Sequence, residues 1–307
     1  MKYRQLGNTG LEVSYISLGT SSLGGVYRDF EEKKGIQVVF TALDHGINLI
    51  DTAPAYGATK SEKVLGKALK QIPRDHYFLS TKTGKYSNTD FDYSYERIIK
   101  EVEASMKRLH VEHLDLLHLH DIEFREGIDK EVALTEGYRA LKDLQQQGKV
   151  RFIGIGIYPV DWCREIMYSH DIQVMICHNH YTLSDTRILE LLPDLKKTGV
   201  GLINAAPMGM GLLTHRGPAA WHPAKEEDKR MFQKAVALCD RAGTPIEQLA
   251  MQFGVSHSEI PTTLVSSPDP DEILKNIKWG SQQPDMELVN EVQHLLSPVM
   301  NKDWIVG

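Results

Sequence analysis

The chain alternates short apolar runs of strand character with segments of helical period, and this alternation constrains the fold more than any other feature. The runs predicted to be strands are Ile16–Gly19, Asn48–Asp51, Tyr77–Thr81, Leu114–Leu119, Val150–Ile155, Gln173–Cys177, Val200–Asn204 and Pro261–Val265. Repeated strand–helix units favour a parallel sheet with helical crossovers. Eight such units in 307 residues match the size of an α/β protein of the (β/α)8 TIM-barrel type.

Segments of helical period lie between these strands and after the last one. The predicted helices are Glu31–His45, Lys60–Lys70, Tyr95–Leu109, Glu131–Gln147, Asp161–Ser169, Asp185–Thr198, Lys229–Ala242, Asp271–Trp279 and Asp285–Leu296. Gly46, Gly148 and Gly199 stand at the ends of three of them, and glycine commonly closes a helix. The last two follow the eighth strand, so we expect extra C-terminal helices beyond the barrel.

Two segments outside the alternation complete the predicted architecture. Tyr3–Leu6 and Leu11–Val13 flank a glycine-containing turn and predict an N-terminal β-hairpin that covers the bottom of the barrel. Gly209–Lys225 has no clear period and is expected to be an ordered loop over the barrel mouth. Because residues 1–307 contain no linker, repeat or low-complexity tract, we expect a single barrel domain.

Composition narrows the range of partners. The net charge of −6 offers no excess of positive charge to nucleic acid or to an anionic membrane. Cys163, Cys177 and Cys239 are widely spaced and form neither a disulfide framework nor a zinc motif. No signal-type run and no stretch approaching roughly 20 apolar residues is present. We therefore expect a cytoplasmic protein that acts on a small molecule, and the sequence leaves monomer and dimer open.

Four reactive side chains are predicted to meet at the C-terminal ends of three neighbouring strands, where barrel enzymes carry their chemistry. Asp51 and Tyr56 follow the second strand, Lys82 the third and His120 the fourth. We expect the ammonium to lower the pKa of Tyr56, Asp51 to keep Lys82 charged, and His120 to polarise a carbonyl or relay a proton. Such a set suits proton transfer on oxygen while a hydride moves on carbon.

Alternative interpretations remain at this point. Singly, Asp51 is equally explained as a helix cap, Lys82 as a solvated lysine and His120 as a structural histidine. Two His-x-His pairs, His118–His120 and His178–His180, would suit a metal-dependent barrel hydrolase. That interpretation leaves the other three residues unexplained, and strand alternation places His118 one layer deeper than His120. We therefore predict no metal.

The residues at the strand ends, together with longer segments, resemble the aldo-keto reductase superfamily. The matching segments are Tyr3–Ser14, Asp51–Tyr56, Ser61–Leu69, Ser80–Lys82, His120–Asp121 and Gly148–Gly154. The resemblance implies a barrel that binds a nicotinamide dinucleotide without a Rossmann domain. It also implies that Asp51, Tyr56, Lys82 and His120 are catalytic. Non-catalytic, dinucleotide-binding regulatory subunits belong to the same superfamily, so that alternative stays open.

Other segments resemble the L-galactose dehydrogenase branch of the superfamily, which consists of aldose 1-dehydrogenases. They are His118–Phe124, Gly201–Leu213, Gly217–Ala224 and Ser297–Trp304. This resemblance implies oxidation of an aldose at C1 to the lactone, with L-galactose, L-fucose or D-arabinose as the sugar and Tyr56 as the base. Other members use the same residues for NADPH-dependent reduction of aldehydes and ketones, which is the alternative.

The resemblance further implies a set of cofactor-binding residues. They are Gly19, Thr20, Asp51, His178, Asn179, Ala206, Pro207, Met208, Gly209, Gly211, Leu212, Val265, Ser266, Ser267, Glu272 and Asn276. The usual carboxamide-binding Ser-Asn pair is replaced by Gly156-Ile157, and the usual stacking tyrosine by Ala205. We expect His178 or Asn179 to bind the carboxamide instead.

No basic residue stands at the two positions where NADP-binding relatives carry one. Ser266 and Glu272 occupy those positions, with Asp269 and Asp271 nearby. Carboxylates would repel a 2′-phosphate but accept from a ribose hydroxyl. The sequence therefore favours NAD, with NADP as the alternative.

The substrate is expected to contact aromatic and acidic side chains at the mouth of the barrel. The expected pocket walls are Tyr27, Tyr56, His120, Glu123, Phe124, Trp221 and His222. Tyr27 or Trp221 would stack on a sugar face, and Glu123 or Asp121 would bind hydroxyls.

Overall fold

Eight parallel strands close into a barrel in the computed structural model, which describes residues 1–123 and 129–304. A hairpin of β1 (Tyr3–Gln5) and β2 (Glu12–Ser14) precedes them. The barrel strands are β3 (Ile16–Gly19), β4 (Leu49–Asp51), β5 (Phe78–Thr83), β6 (Leu114–His120), β7 (Val150–Ile157), β8 (Val174–His178), β9 (Gly201–Ala205) and β10 (Thr262–Val265). Because β10 pairs with β3, the sheet has no edge, and the predicted TIM-type barrel is confirmed.

The hairpin seals the N-terminal end of the barrel. Leu6, Leu11 and Val13 are buried against side chains of the barrel interior. The backbone N–H of Asn8 donates to the carbonyl of Gly199, just before β9, at 2.8 Å. The N-terminal hairpin that was predicted to cover the bottom of the barrel is confirmed.

Helices surround the barrel and bury one face against it. They are α1 (Glu32–Asp44), α2 (Lys60–Leu69), α3 (Tyr95–Leu109), α4 (Lys130–Val132), α5 (Tyr138–Gln146), α6 (Val160–Ser169), α7 (Leu192–Thr198), α8 (Glu226–Arg241), α9 (Ile246–Ser256), α10 (Pro270–Gly280) and α11 (Met286–Leu295). In α3 the buried positions Ile98, Val102 and Leu109 recur at helical spacing, which explains why this helix was predicted with its observed bounds. Of the two helices that follow the eighth barrel strand, α10 completes the last strand–helix unit and packs against α1, and α11 is the extra C-terminal helix.

The helix predicted at Asp185–Thr198 begins later than expected. The backbone of Asp185 forms a bridge with Thr182, and its carboxylate accepts hydrogen bonds from the guanidinium of Arg187. A 3-10 segment, Arg187–Leu191, then leads into α7. The side-chain contacts of Asp185 hold this stretch outside the helix, so the prediction was wrong at its start.

The sequence pattern predicts no helix at α9, which lies between α8 and β10 in the structure. Within the described residues, no helix combines the length and the apolar character needed to cross a bilayer.

Candidate active site

A cavity of about 660 Å³ opens at the C-terminal ends of the barrel strands. This volume is typical of sites that bind small molecules and cofactors. Asp51, Tyr56, Lys82 and His120 all line it. The structure therefore brings together the four side chains that the sequence placed at neighbouring strand ends.

Lys82 and Asp51 form an ion pair at the floor of the cavity, and each side chain is only 3% exposed. The ammonium also donates to the Thr52 carbonyl at 2.8 Å, and the Ser80 hydroxyl donates to the second Asp51 oxygen at 2.7 Å. Burial raises the pKa of Asp51, while Lys82 and Ser80 oppose that shift. A buried ion pair is tolerated when its charged atoms also have other hydrogen-bond partners, and both Lys82 and Asp51 meet that condition.

Tyr56 is held between two loops in backbone contact. A Cβ on Gly24 would lie 2.5 Å from the Tyr56 carbonyl carbon, so only glycine allows this approach of the β3–α1 loop. The Tyr56 ring lies 4.9 Å from Lys82 Nζ, measured to the ring centroid. It meets the His120 ring edge to face, with centroids 5.9 Å apart. The phenol is thus fixed between the ammonium and the imidazole.

The pKa of Tyr56 differs from the sequence-based expectation. Burial, together with the carboxylates of Asp51 and Asp121 and the phenol of Tyr27, raises it well above its ordinary value. The lowering of the Tyr56 pKa expected from Lys82 does not outweigh these effects, because the paired Asp51 carboxylate offsets the charge of the ammonium. Without ligand, Tyr56 is therefore a protonated phenol.

The two histidines of β6 are neutral at neutral pH. Burial lowers the pKa of His118 to about 3, and its Nδ1 lies 3.4 Å from the Ser80 hydroxyl inside the barrel. Burial lowers the pKa of His120 well below its ordinary value; Asp121 opposes this shift and Lys82 adds to it. A neutral imidazole offers one donor and one acceptor, so His120 serves the cavity as a hydrogen-bonding group.

Most residues assigned to the cofactor by resemblance line the cavity. They are Gly19, Thr20, Asp51, His178, Ala206, Pro207, Met208, Gly211, Val265, Ser266 and Asn276. The others lie outside its walls, namely Asn179, Gly209, Leu212, Ser267 and Glu272.

Asn179, Gly209 and Leu212 have structural contacts instead. Leu212 is 2% exposed in the core, and the N–H of Gly209 donates within its own turn. The N–H of Asn179 donates to the Ala205 carbonyl at 2.9 Å, and the residue is only 3% exposed. Of the two residues expected to replace the carboxamide ligands, only His178 faces the cavity.

Glu272 takes part in a polar cluster at the start of α10. Its carboxylate accepts from Arg28 at 2.6 Å and from the Ser267 hydroxyl. Burial raises the pKa of Glu272, but Arg28 and Ser267 outweigh burial and hold it below its ordinary value. Glu272 is therefore ionised, and its nearest cation belongs to the β3–α1 loop.

Two aromatic residues join loops across the cavity mouth. Tyr27 and Trp221 both line the cavity, and their ring centroids are 5.8 Å apart. The Trp221 indole N–H donates to the Val26 carbonyl at 3.0 Å. The predicted loop over the mouth, Gly209–Lys225, is thereby tied to the β3–α1 loop.

The other expected wall residues do not line the cavity. Glu123 accepts a hydrogen bond from the Tyr158 N–H, and burial, then repulsion from Asp121, raises its pKa to about 8. His222 is 4% exposed and accepts from the Ala224 N–H. Backbone N–H groups bind both side chains, which explains why neither lines the cavity. Phe124 lies outside the described residues.

Two cations that were not predicted as site residues, Lys85 and Arg216, line the cavity. Lys85 follows β5 and donates to Asp121 at 2.7 Å. Arg216 is exposed on the loop over the mouth. A signal for Lys85 was available, because it lies three residues after Lys82 at the same strand end.

Metal ligands are not assembled in ranges 1–123 and 129–304, where no group of three or more His, Cys, Asp or Glu side chains is placed to hold an ion. His180, from the second His-x-His pair, is occupied by the Asp185 carboxylate and the Tyr158 carbonyl.

Comparison with known proteins agrees with the geometry. The profile of the Aldo/keto reductase family matches residues 15–296. L-galactose dehydrogenase of Arabidopsis thaliana is 41% identical over 316 residues, covering 100% of this chain and 98% of the relative. D-arabinose 1-dehydrogenase of Saccharomyces cerevisiae is 29% identical, covering 96% and 94%. Among solved structures, the holo form of an aldo-keto reductase from Bacillus halodurans superposes with a TM-score of 0.78 at 25% identity, covering 99% of both chains.

Proposed function

The chain belongs to the aldo/keto reductase family, and on that premise we propose that it oxidises an aldose at C1 to the lactone with NAD. L-galactose, L-fucose and D-arabinose are the candidate sugars. The 41% identity to a plant L-galactose dehydrogenase along the whole chain carries this proposal. We also infer a reducing, cytoplasmic setting, because the three cysteines are buried thiols.

The residues around the cavity fit a nicotinamide dinucleotide. Gly156 lines the cavity, and a Cβ there would stand 3.7 Å from Lys82 Cε. Because glycine has no side chain, the space beside the ammonium stays open to a flat ring. We infer that His178 holds the carboxamide, Arg216 the pyrophosphate, and Asn276 with Ser266 the adenosine end. When bound, oxidised nicotinamide supplies the hydride acceptor for C1.

The four residues at the floor supply the proton chemistry. Tyr56 takes the proton of the anomeric hydroxyl as that oxygen becomes the lactone carbonyl. His120, being neutral, hydrogen-bonds the same oxygen and orients it. Lys82, paired with Asp51, fixes the position of the phenol and stabilises the phenolate form. In reverse, the same phenol would protonate a reduced carbonyl.

Oxidation is expected to become faster as pH rises. A base must be unprotonated to act, and the pKa of Tyr56 lies well above its ordinary value. The phenolate fraction therefore rises through the neutral range, and kcat/KM for the sugar should increase by up to about tenfold per pH unit between pH 6 and 9. Carbonyl reduction needs the protonated phenol, so its rate should not change with pH over that range. Rate profiles at saturating cofactor test this, and a plateau of the oxidation rate below pH 7 contradicts it.

Substitution of Glu272 by glutamine is expected to improve use of NADP. The change removes a charge that repels a 2′-phosphate and releases Arg28 to bind one. We expect kcat/KM with NADP to rise about tenfold, the effect of one charge-assisted hydrogen bond, and that with NAD to change less than about threefold. Asp271→Asn, at the exposed start of the same helix, is the control. A wild-type protein that prefers NADP overturns the role given to Glu272.

An aldose panel tests the function itself. Purified protein is assayed with L- and D-aldoses and NAD or NADP, and the lactone is identified as product. A preference for small aliphatic aldehydes with NADPH favours the reductase alternative and contradicts sugar oxidation. Cofactor binding without turnover on any sugar or aldehyde indicates the regulatory-subunit alternative.

A further inference from the structure

A second buried ion pair lines the cavity and has no part in the proton chemistry above. Lys85 Nζ donates to Asp121 Oδ2 at 2.7 Å, and the two side chains are 7% and 12% exposed. Both residues line the same cavity as Tyr56 and His120. Burying such a pair often stabilises a protein less than apolar residues of similar volume would. A ligand-binding role therefore explains its presence better than stability does.

The backbone holds Asp121 in place. Its φ is +48°, a left-handed conformation that aspartate tolerates better than most residues. Its N–H donates to the Gly156 carbonyl at 2.9 Å, and the Tyr93 hydroxyl bonds the carbonyls of His120 and Asp121 at 2.5 and 3.2 Å. These contacts fix the carboxylate beside the reacting groups.

Among residues 1–123 and 129–304, no group donates a hydrogen bond to one oxygen of this carboxylate. Oδ2 accepts from Lys85, whereas Oδ1 lies 3.6 Å from His120 Nε2, too far for a hydrogen bond. A substrate oxygen bound to His120 would lie beside Oδ1. In a sugar, gauche oxygens on adjacent carbons are roughly 3 Å apart, close to a hydrogen-bond length. The C2 hydroxyl is therefore the group that reaches Asp121 when O1 is bound at Tyr56 and His120.

We propose that Asp121 binds the hydroxyl next to the oxidised carbon and that Lys85 is its positioning residue. The site thereby selects 2-hydroxy aldoses over 2-deoxy sugars. This inference rests on the proposed function, since it assumes that C1 of an aldose is the reacting carbon. With a 2-deoxy sugar, Asp121 Oδ1 would be buried against the substrate without a hydrogen-bond donor. Sites built to bind a substrate hydroxyl discriminate strongly against analogues that lack it.

The test compares NAD-dependent oxidation of L-galactose and 2-deoxy-L-galactose. For the wild type we expect kcat/KM to favour L-galactose by about 100-fold. Asp121→Asn, which tolerates the same backbone conformation, should reduce that preference about tenfold through KM for L-galactose, while 2-deoxy-L-galactose changes less than about threefold. Lys85→Met should shift the preference in the same direction. The double variant Lys85→Met/Asp121→Asn removes both charges, so no buried charge is left unpaired. If a single variant folds poorly, the same reduced preference for L-galactose is expected in the double variant.

Asp115→Asn is the matched control, because Asp115, at the start of β6, is also a buried carboxylate and is paired with Arg74 and Arg151 at 2.6 and 2.8 Å. It should lower the melting temperature and leave the sugar preference unchanged. If Asp121→Asn slows both sugars equally, the pair is structural and the inference is wrong. A wild type that oxidises aldoses without regard to the C2 hydroxyl also overturns it. A wild type that oxidises no aldose overturns the proposed function, and the inference with it.

Discussion

Replacing Tyr56 by phenylalanine is expected to lower kcat/KM for aldose oxidation by about 1,000-fold or more, within the range attributed to general acid–base groups. The variant loses the phenolic oxygen that takes the anomeric proton. It keeps the ring, which packs edge to face against His120 and lies beside Lys82. The loss should therefore fall on kcat, with dinucleotide affinity changed by less than about threefold.

Tyr27→Phe is the matched control for this experiment. Tyr27 lines the same cavity, and the change also removes one phenolic hydroxyl. Its contact with Trp221 is between rings and survives the substitution. We expect less than about fivefold loss of kcat/KM, the scale of a single lost neutral hydrogen bond. Steady-state kinetics and fluorescence titration with NADH measure both variants; a loss below tenfold in Tyr56→Phe assigns the proton to another group.

The barrel was predictable because its strands are short apolar runs separated by helices of clear period. The period fails where a helix is buried on most sides, as in α9. There Leu249 to Val255 are all buried, so no polar face marks the helix in the sequence. The start of α7 was misplaced for a different reason, since the side chain of Asp185 binds residues that local propensity does not reveal.

The site was predictable in part. Strand ends meet at one face of a barrel, so the positions of Asp51, Lys82 and His120 followed from the alternation. The pKa of Tyr56 could not be predicted in the same way, because it depends on burial and on whether the Asp51 carboxylate offsets the charge of Lys82. Contacts between distant loops also lack a local signal. The Trp221–Val26 hydrogen bond joins residues 195 positions apart.

Lys82→Met is expected to abolish oxidation and also to destabilise the fold. Asp51 and Lys82 are each 3% exposed, so removing the ammonium leaves a buried carboxylate without its counter-charge. Breaking a buried pair in this way costs about 3–5 kcal/mol of unfolding free energy. The Ser80 hydroxyl still donates to Asp51 but supplies no charge. Urea unfolding followed by circular dichroism measures the loss.

A double variant separates stability from activity. Lys82→Met/Asp51→Asn has no unpaired charge at this position, so it should regain most of the lost unfolding free energy, because neutral replacement of a whole buried pair is often close to neutral. It should remain inactive, since nothing then stabilises the phenolate of Tyr56. Lys67→Met is the exposed control; its partner Glu32 is 51% exposed, and the expected loss is below about 1 kcal/mol. If Lys82→Met is no less stable than this control, Asp51 takes up a proton in the variant, and the cost assigned here to an unpaired buried carboxylate is wrong.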